Sequence, residues 1–88
     1  MTTKTWTVQI RLDEETDTTA AEAVLDAEGK PELHGSGRSR RNPDDPAVPM
    51  IGDELAVARA LSDLAHQLLD SAAQDIESST RKPAQLQF

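Results

Sequence analysis

The sequence predicts an α+β protein in which short strands pack against one long helix. Two observations carry this prediction: an alternating segment near the N-terminus and a long amphipathic segment in the C-terminal half. With 88 residues, the chain fits one domain over residues 1–88 and has room for only a small core. The expected order is strand, helix, strand, long helix.

The first predicted strand is the segment TWTVQIRL. Apolar residues alternate with polar ones along it: Trp6, Val8, Ile10 and Leu12 against Thr5, Thr7, Gln9 and Arg11. A period of two is typical of a strand with one face in the core and the other in water. We therefore expect a half-buried strand here.

The next segment, DTTAAEAVLDAEG, predicts a short helix over residues 17–29. Thr19 is followed three residues later by Glu22, which is the spacing of a capping box, and Gly29 is placed to end the helix. Alanine and leucine between them favour the helical state.

A second strand is predicted in the segment ELHGSGRSRR, residues 32–41. Alternation places Gly35 and Gly37 on one face and Arg38 and Arg40 on the other. Glycine has no side chain, so the face with the two glycines would let a helix with small residues approach the sheet closely.

The long helix is predicted from Asp53 to about Ser79. Asp53 and Glu54 fall in its first turn, where carboxylates oppose the positive end of the helix dipole. At roughly 40 Å it would be longer than a small domain is wide, so it either kinks near Asp70 or packs on another subunit. The segment AQLQF, residues 84–88, could form a docking tail or a short edge strand. The apolar stripe of the helix comprises Val57, Leu61, Leu64, Leu68, Ala72 and Ile76.

Composition points to a homodimer in the cytoplasm. Trp6 and Phe88 are the only aromatic residues, so the core is thin, and two predicted strands make too small a sheet to be stable alone. We expect two chains to join their strands into one sheet. The chain has no cysteine, its N-terminus does not resemble a signal peptide, and it lacks an apolar run long enough to span a membrane.

The sequence does not favour an enzyme, a cofactor or a metal site. His34 and His66 are the only histidines, and they fall on different predicted elements. The carboxylate pairs at residues 44–45 and 53–54 are explained by a turn and by a helix start. Catalysis needs a nucleophile, a base and an orienting group, and the pattern supplies no such set.

The basic residues Arg11, Arg38 and Arg40 are the candidate RNA-binding residues. The net charge of the chain is −7, so binding to a polyanion would need a local basic patch. Alternation places Arg38 and Arg40 on one sheet face, and Arg11 joins them if the first strand lies alongside. There they could contact phosphates but could not read a DNA sequence. The alternative is that they only keep an uncovered sheet face polar. Arg41 falls on the other face, where we expect it to pair with Asp44 or Asp45.

One set of residues, mostly from Gly35 onward, carries a family resemblance. The set comprises Gly35, Gly37, Arg41, Asn42, Pro43, Asp45, Val48, Pro49, Ile51 and Gly52, the segments 53–55, 58–64 and 75–77, and Trp6 and Thr7. In these residues the sequence resembles a family of small actinobacterial proteins with a double-stranded-RNA-binding-domain-like fold, some of them induced in mycobacterial hypoxia and dormancy. The resemblance implies a compact α+β fold that dimerises, and a dimer similar to a ribosome hibernation factor.

Two functional hypotheses follow. The first is a stress-linked, non-enzymatic regulatory protein that associates with the ribosome or with RNA, as the resemblance implies. The second is a small acidic homodimer that binds a basic protein partner and does not touch RNA, which the net charge of −7 favours.

Overall fold

Three strands precede one helix in the computed structural model, which describes residues 1–81, 84 and 86. Strand β2 lies between β1 and β3, and both pairings are antiparallel. The helix packs across one face of the sheet, mainly on β3 and β2. The α+β class is thus confirmed. The elements are β1 (Thr7–Glu15), β2 (Thr18–Asp26), β3 (Leu33–Arg40) and α1 (Pro49–Thr80).

The helix predicted over residues 17–29 is wrong, because this segment forms the central strand β2. Burial alternates along it: Thr19, Ala21, Ala23 and Leu25 are buried, and the residues between them are more exposed. Its backbone bonds to strands on both sides, and this tertiary pairing outweighs the helical preference of alanine, glutamate and leucine. Gly29, with a φ of +80°, lies in the turn before β3 instead of ending a helix.

The predicted close approach at Gly35 and Gly37 is confirmed. A Cβ atom on Gly35 would lie 2.4 Å from the carbonyl oxygen of Ala60, and one on Gly37 would lie 2.3 Å from that of Ala56. Ala56, Ala60 and Leu64 are the buried residues of the helix. Two of these three are alanines, which permit the close approach, and Leu64 belongs to the predicted apolar stripe. Leu61 and Ile76 of that stripe are exposed.

Helix α1 begins earlier than predicted, at Pro49, and runs without interruption to Thr80. Its 32 residues correspond to a length of ~48 Å. Asp53 lies beyond the first turn, so the role assigned to Asp53 and Glu54 at the start of the helix is wrong. The helix ends at Arg81, which has a left-handed conformation with φ of 59°. The predicted tail at residues 84–88 lies mostly outside the described residues, and Ala84 and Leu86 are not in a strand.

Arg41 connects the β1–β2 hairpin to the loop after β3. Its backbone N–H donates to the carbonyl of Asp17 at 2.8 Å, and its guanidinium donates to the Asp17 carboxylate at 2.8 Å and to the carbonyl of Asp45 at 2.5 Å. The predicted carboxylate partner, Asp44 or Asp45, is therefore wrong. Asp17 takes that place because the hairpin brings it beside the end of β3.

Within the described residues, no helix has the length and the apolar character that crossing a membrane requires.

Candidate functional site

The β3 edge of the sheet is closed by side chains of α1. Arg59 donates to the carbonyl of Arg38 at 2.7 Å, and Gln67 donates to the carbonyl of His34 at 2.6 Å. Between them, the carboxylate of Asp63 accepts the backbone N–H of Ser36 at 2.8 Å. The three helix residues are four positions apart and thus follow one side of α1. They occupy backbone groups that a further strand would need, so the sheet is not open on this side.

The β1 edge is open. Among the described residues, strand β1 pairs only with β2, and all nine residues of β1 are exposed. The pairing register puts Val8, Ile10 and Leu12 on the same face as the buried residues of β2, yet α1 hardly reaches β1. The predicted half-buried face is consequently covered poorly. We call its four apolar residues the β1 apolar strip; their exposures are Trp6 57%, Val8 40%, Ile10 41% and Leu12 40%.

The flank of α1 on the β1 side is also apolar. Val57 and Leu68 are partly buried against the core, and Leu61 is exposed. At 100° per residue these positions lie on the opposite side of the core-facing residues from Arg59, Asp63 and Gln67. The β1 apolar strip and this flank of α1 therefore lie on the same side of the core.

The three candidate RNA-binding residues lie on the sheet face that α1 does not cover. Arg11 sits opposite Glu22, and its Nε lies 3.6 Å from a carboxylate oxygen of Asp13. Arg38 and Arg40 are exposed, and in the described part of the chain their guanidinium groups make no ion pair. The face as a whole is mixed in charge, because four carboxylates share it with the three arginines. These are Asp13, Glu15, Glu22 and Asp26.

The two histidines lie at exposed positions. The ring nitrogens of His34 lie 3.7 Å from Glu22 and 3.6 Å from Glu32, and a ring nitrogen of His66 lies 2.7 Å from the carbonyl of Ser62. Among the residues that the structure describes, no three histidine, cysteine or carboxylate side chains are grouped as metal ligands would be.

A polar row crosses the helix-facing side of the sheet beneath the start of α1. Glu14, Thr19 and Ser39 are aligned across the three strands, and Thr19 and Ser39 are only 8% and 6% exposed. Ser39 donates to the carbonyl of Gly52 at 2.7 Å. The other aligned residues on the helix-facing side of the sheet are apolar, so this side of the sheet is polar only at the end near the start of α1.

Asp53 of α1 faces this row, and one of its two carboxylate oxygens lacks a hydrogen-bond donor among the described residues. Its Oδ1 atom is buried and has no hydrogen-bond partner among the described residues. The pKa of Glu14 is raised above its usual value, first by a side-chain hydrogen bond with Asp53, then by repulsion from that carboxylate, and last by desolvation. The sequence indicated Glu14 only as part of an acidic turn, although its two-residue spacing from Leu12 places it on the inner face.

A hollow of about 380 Å³ opens beside the polar row. Its polar lining includes Glu14, Thr19, Ser39, Arg40 and Arg41. Its apolar side comes from the loop before α1 and from the first turns of the helix: Pro46, Ala47, Val48, Pro49, Ile51 and Leu55.

The fold and these surfaces define a small α+β protein with one helix on a three-stranded antiparallel sheet and one open sheet edge. The family described as Rv2632c-like matches residues 4–85, and the chain belongs to this family. It is 51% identical over 83 residues to the uncharacterised protein Mb1767 of Mycobacterium bovis, with 94% of this chain and 87% of that protein covered. It is 45% identical over 80 residues to the uncharacterised protein Rv2632c of Mycobacterium tuberculosis, with 91% and 85% covered.

The crystal structure of Rv2632c has the same fold. It superimposes with a TM-score of 0.84 at 43% identity, covering 94% of this chain and 98% of that one. The predicted membership of a small actinobacterial family is therefore confirmed at the level of the mycobacterial Rv2632c-like proteins.

Proposed function

We propose that the chain is a non-enzymatic, homodimeric interaction protein of the cytoplasm whose two copies join along β1. The observation that carries this proposal is the contrast between the two sheet edges. The β3 edge is closed by Arg59, Asp63 and Gln67, whereas β1 has an open edge beside an exposed apolar strip. Natural proteins protect such edges, and a second copy would cover both the backbone groups and the strip.

The sequence of β1 suits antiparallel pairing with itself. With Ile10 on the two-fold axis, Val8 would lie opposite Leu12 of the partner subunit, and Arg11 opposite Gln9 of the partner subunit. A register centred on Arg11 would instead bring two arginines together, which is unfavourable. The first register makes one six-stranded sheet with both helices on the same face.

The proposed dimer can be tested by measuring the oligomeric state of the wild type and of two matched variants over a dilution series. Ile10→Lys places a charge in the β1 apolar strip, and Gln9→Lys places the same charge on the opposite face of the same strand. Sedimentation velocity should show a dimer for the wild type and for Gln9→Lys, and a folded monomer for Ile10→Lys. A wild type that stays monomeric and folded at the highest soluble concentration would contradict the proposal.

The net negative charge of the chain favours a basic protein as its binding partner. The chain carries 16 acidic and 9 basic side chains, and acidic residues alternate with the arginines even on the outward sheet face. Such a surface attracts cationic groups at long range and repels the phosphates of nucleic acids.

A second candidate function is a stress- or dormancy-linked regulator that associates with the ribosome in the manner of a hibernation factor. It is supported by Arg38 and Arg40, which are exposed on one face and are not neutralised by an ion pair among the described residues. This second candidate also includes the proposal that the fold of the chain is similar to that of double-stranded-RNA-binding domains. Arg11, Arg38 and Arg40 would then contact phosphates without reading bases.

Co-sedimentation with ribosomes from starved or oxygen-limited cells tests the second candidate. Replacement of Arg38 and Arg40 by Glu should abolish co-sedimentation. The same charge reversal at Lys4, which is exposed and lies outside the strands, serves as a control for charge. For RNA binding through six arginines of a dimer, log affinity should fall with log salt at a slope of at most about −4 to −5. Unchanged ribosome association in the double variant would leave the interaction protein as the better account.

A further inference from the structure

Trp6 and Met50 expose large apolar side chains to water. Trp6 is 57% exposed and Met50 is 62% exposed, and apart from Met1 they are the two most exposed large apolar residues that the structure describes. Trp6 continues the β1 apolar strip beyond Val8, and Met50 lies in the first turn of α1. Exposed apolar side chains that extend an apolar patch commonly mark an interaction surface.

Within one chain, Trp6 and Met50 lie at opposite ends of the helix-facing side of the sheet. The start of α1 covers the end at which Asp53 is hydrogen-bonded to Glu14. Trp6 is eight residues from Glu14 along the chain, which corresponds to about 27 Å in an extended strand. The fold of a single chain therefore keeps Trp6 far from Met50.

The register of the proposed dimer removes this separation. Trp6 lies four positions before Ile10 and Glu14 lies four positions after it. With Ile10 on the two-fold axis, Trp6 is therefore directly opposite Glu14 of the partner subunit. Opposite residues of an antiparallel pair share one face of the sheet, and Glu14 is on the helix-facing side. The indole ring is thus brought to the start of α1 of the partner subunit.

Met50 and Val57 are apolar residues of α1 beside that position. They lie three residues before and four residues after Asp53, which bonds to Glu14, so they are neighbours of Asp53 on the helix surface. Their separation of seven residues, about two turns, puts both on the flank of α1 that faces β1. An indole ring there meets a thioether and two methyl groups, and the Glu14 carboxylate can accept from its N–H.

We propose that Trp6 of each subunit anchors the dimer by packing against Met50, Val57 and Glu14 of the partner subunit. This inference rests on the proposed function, because the site is incomplete without a second copy of the chain. The two-fold axis makes the contact twice, once at each end of the paired β1 strands. Protein interfaces commonly owe most of their binding energy to a few buried side chains, among which tryptophan is enriched.

The area that a stable dimer must bury supports this anchor. A specific interface buries on the order of 800 Å² of each partner. Val8, Ile10 and Leu12 are 40%, 41% and 40% exposed, so each is already more than half covered within its own chain. Trp6 and Met50 have more surface left to bury, and one tryptophan side chain can bury about 150 to 250 Å². A dimer that covers them is therefore favoured over one that pairs the strands alone.

Intrinsic fluorescence reports on the anchor directly, because Trp6 is the only tryptophan of the chain. Sedimentation velocity first identifies the concentrations at which the wild type is a dimer and those at which it is a monomer. Quenching of Trp6 by acrylamide should be about threefold weaker in the dimer, since the centre of an anchor contact excludes water. Equal shielding of Trp6 in the monomer would mean that the ring packs on its own chain, and would overturn the proposal.

Met50→Gln tests the contact between subunits, and Ile51→Gln is its matched control. Met50 and Ile51 are 62% and 56% exposed, but Ile51 is turned by about 100° away from the flank that faces β1. Met50→Gln should return the quenching of Trp6 in the dimer towards its monomer value, and Ile51→Gln should leave it unchanged. Because Met50 is far from Trp6 within one chain, such a change can come only from the partner subunit. Unchanged quenching in Met50→Gln would overturn the proposal.

A double-mutant cycle on the dissociation constant of the dimer completes the test. Trp6→Ala should raise this constant by about tenfold or more. Adding Met50→Gln to Trp6→Ala should raise it little further, because the two changes remove the same contact, whereas effects that multiply would contradict that contact. Failure of the anchor and failure of the dimer are distinguishable. A dimer in which Trp6 is quenched as in the monomer overturns the anchor alone, and a wild type that never dimerises overturns both.

Discussion

Single glycines set the distance between α1 and the sheet. At Gly35 and Gly37 the backbone of the helix comes so near that a Cβ atom would overlap carbonyl oxygens, which cannot move independently of the helix. This contact was predictable, because alternation places both glycines on one face. Of the helix residues that meet them, Leu64 belongs to the predicted apolar stripe, whereas Ala56 and Ala60 do not, because the sequence offers larger apolar residues for that stripe.

Gly37→Ala should lower the free energy of unfolding by about 2 to 3 kcal/mol, since the helix must move to admit the methyl group. Gly52→Ala is the matched control. Its Cβ would lie 3.2 Å from the hydroxyl oxygen of Thr19, a side-chain atom, and alanine favours the helix, so the change should stay within about 1 kcal/mol. Urea denaturation measures both. Equal decreases in the free energy of unfolding for the two variants would contradict the claim that the close approach of α1 excludes a side chain at position 37.

Arg41→Ala should lower the free energy of unfolding by about 1 to 2 kcal/mol, because it removes charge-assisted hydrogen bonds to Asp17 and to the carbonyl of Asp45. Arg38→Ala should change it by less than about 0.5 kcal/mol, since the Arg38 side chain is exposed and outside any ion pair that the structure records. Thermal denaturation of the two variants compares them directly. A larger loss for Arg38→Ala would contradict the role of Arg41 as the link between hairpin and loop.

At the scale of elements, β1, β3 and α1 could be predicted from periodicity, but β2 could not. The segment of β2 has alanine, glutamate and leucine in helical proportion and a capping-box spacing at Thr19 and Glu22. The alternation of buried and exposed residues along this segment favours a strand over a helix only because β1 and β3 hydrogen-bond to its two sides. A central strand is fixed by tertiary contacts, which a local pattern does not contain.

The polar row was missed for the same reason. Ser39 is far from Glu14 and Thr19 in the sequence, and the three residues align only through the register of three strands. Asp53 joins them because α1 begins at Pro49, so that the carboxylate faces the sheet rather than capping the helix. By contrast, alternation alone placed Arg38 and Arg40 on one face. Arg11 shares that face because β1 and β3 both pair with β2, and not because the two strands lie side by side as the sequence suggested.

The Glu14 and Asp53 pair predicts a dependence of stability on pH. The pKa of Glu14 is raised in the folded chain, so the folded state binds more protons than the unfolded state between the usual and the raised pKa. The contribution of Glu14 to the free energy of unfolding should therefore decrease as the pH rises through that range and increase again as the pH falls.

Glu14→Gln should remove this dependence and raise the free energy of unfolding near neutral pH, because the amide can donate to Asp53 without charge. Urea denaturation across the acidic range measures it, with Glu15→Gln as the control that keeps the wild-type profile. A profile unchanged by Glu14→Gln would show that the two carboxyl groups do not interact.

For the whole molecule, the two sheet edges have opposite character. One edge is covered by polar side chains of α1. In the described part of the chain, the other edge has no neighbouring strand and lies beside exposed apolar side chains. Nearly all the buried residues are small, so one chain buries little apolar surface. A second copy on β1 would add the large side chains Trp6, Ile10 and Leu12 to a shared core.

Amide hydrogen exchange at two protein concentrations tests the β1 dimer most directly. The β1 amides that do not bond to β2 should be protected at high concentration and should exchange rapidly on dilution. The amide of Ser36 in β3, bonded to Asp63 within the same chain, should keep its protection at both concentrations. Rapid exchange of the outward β1 amides at every concentration would contradict the proposed dimer.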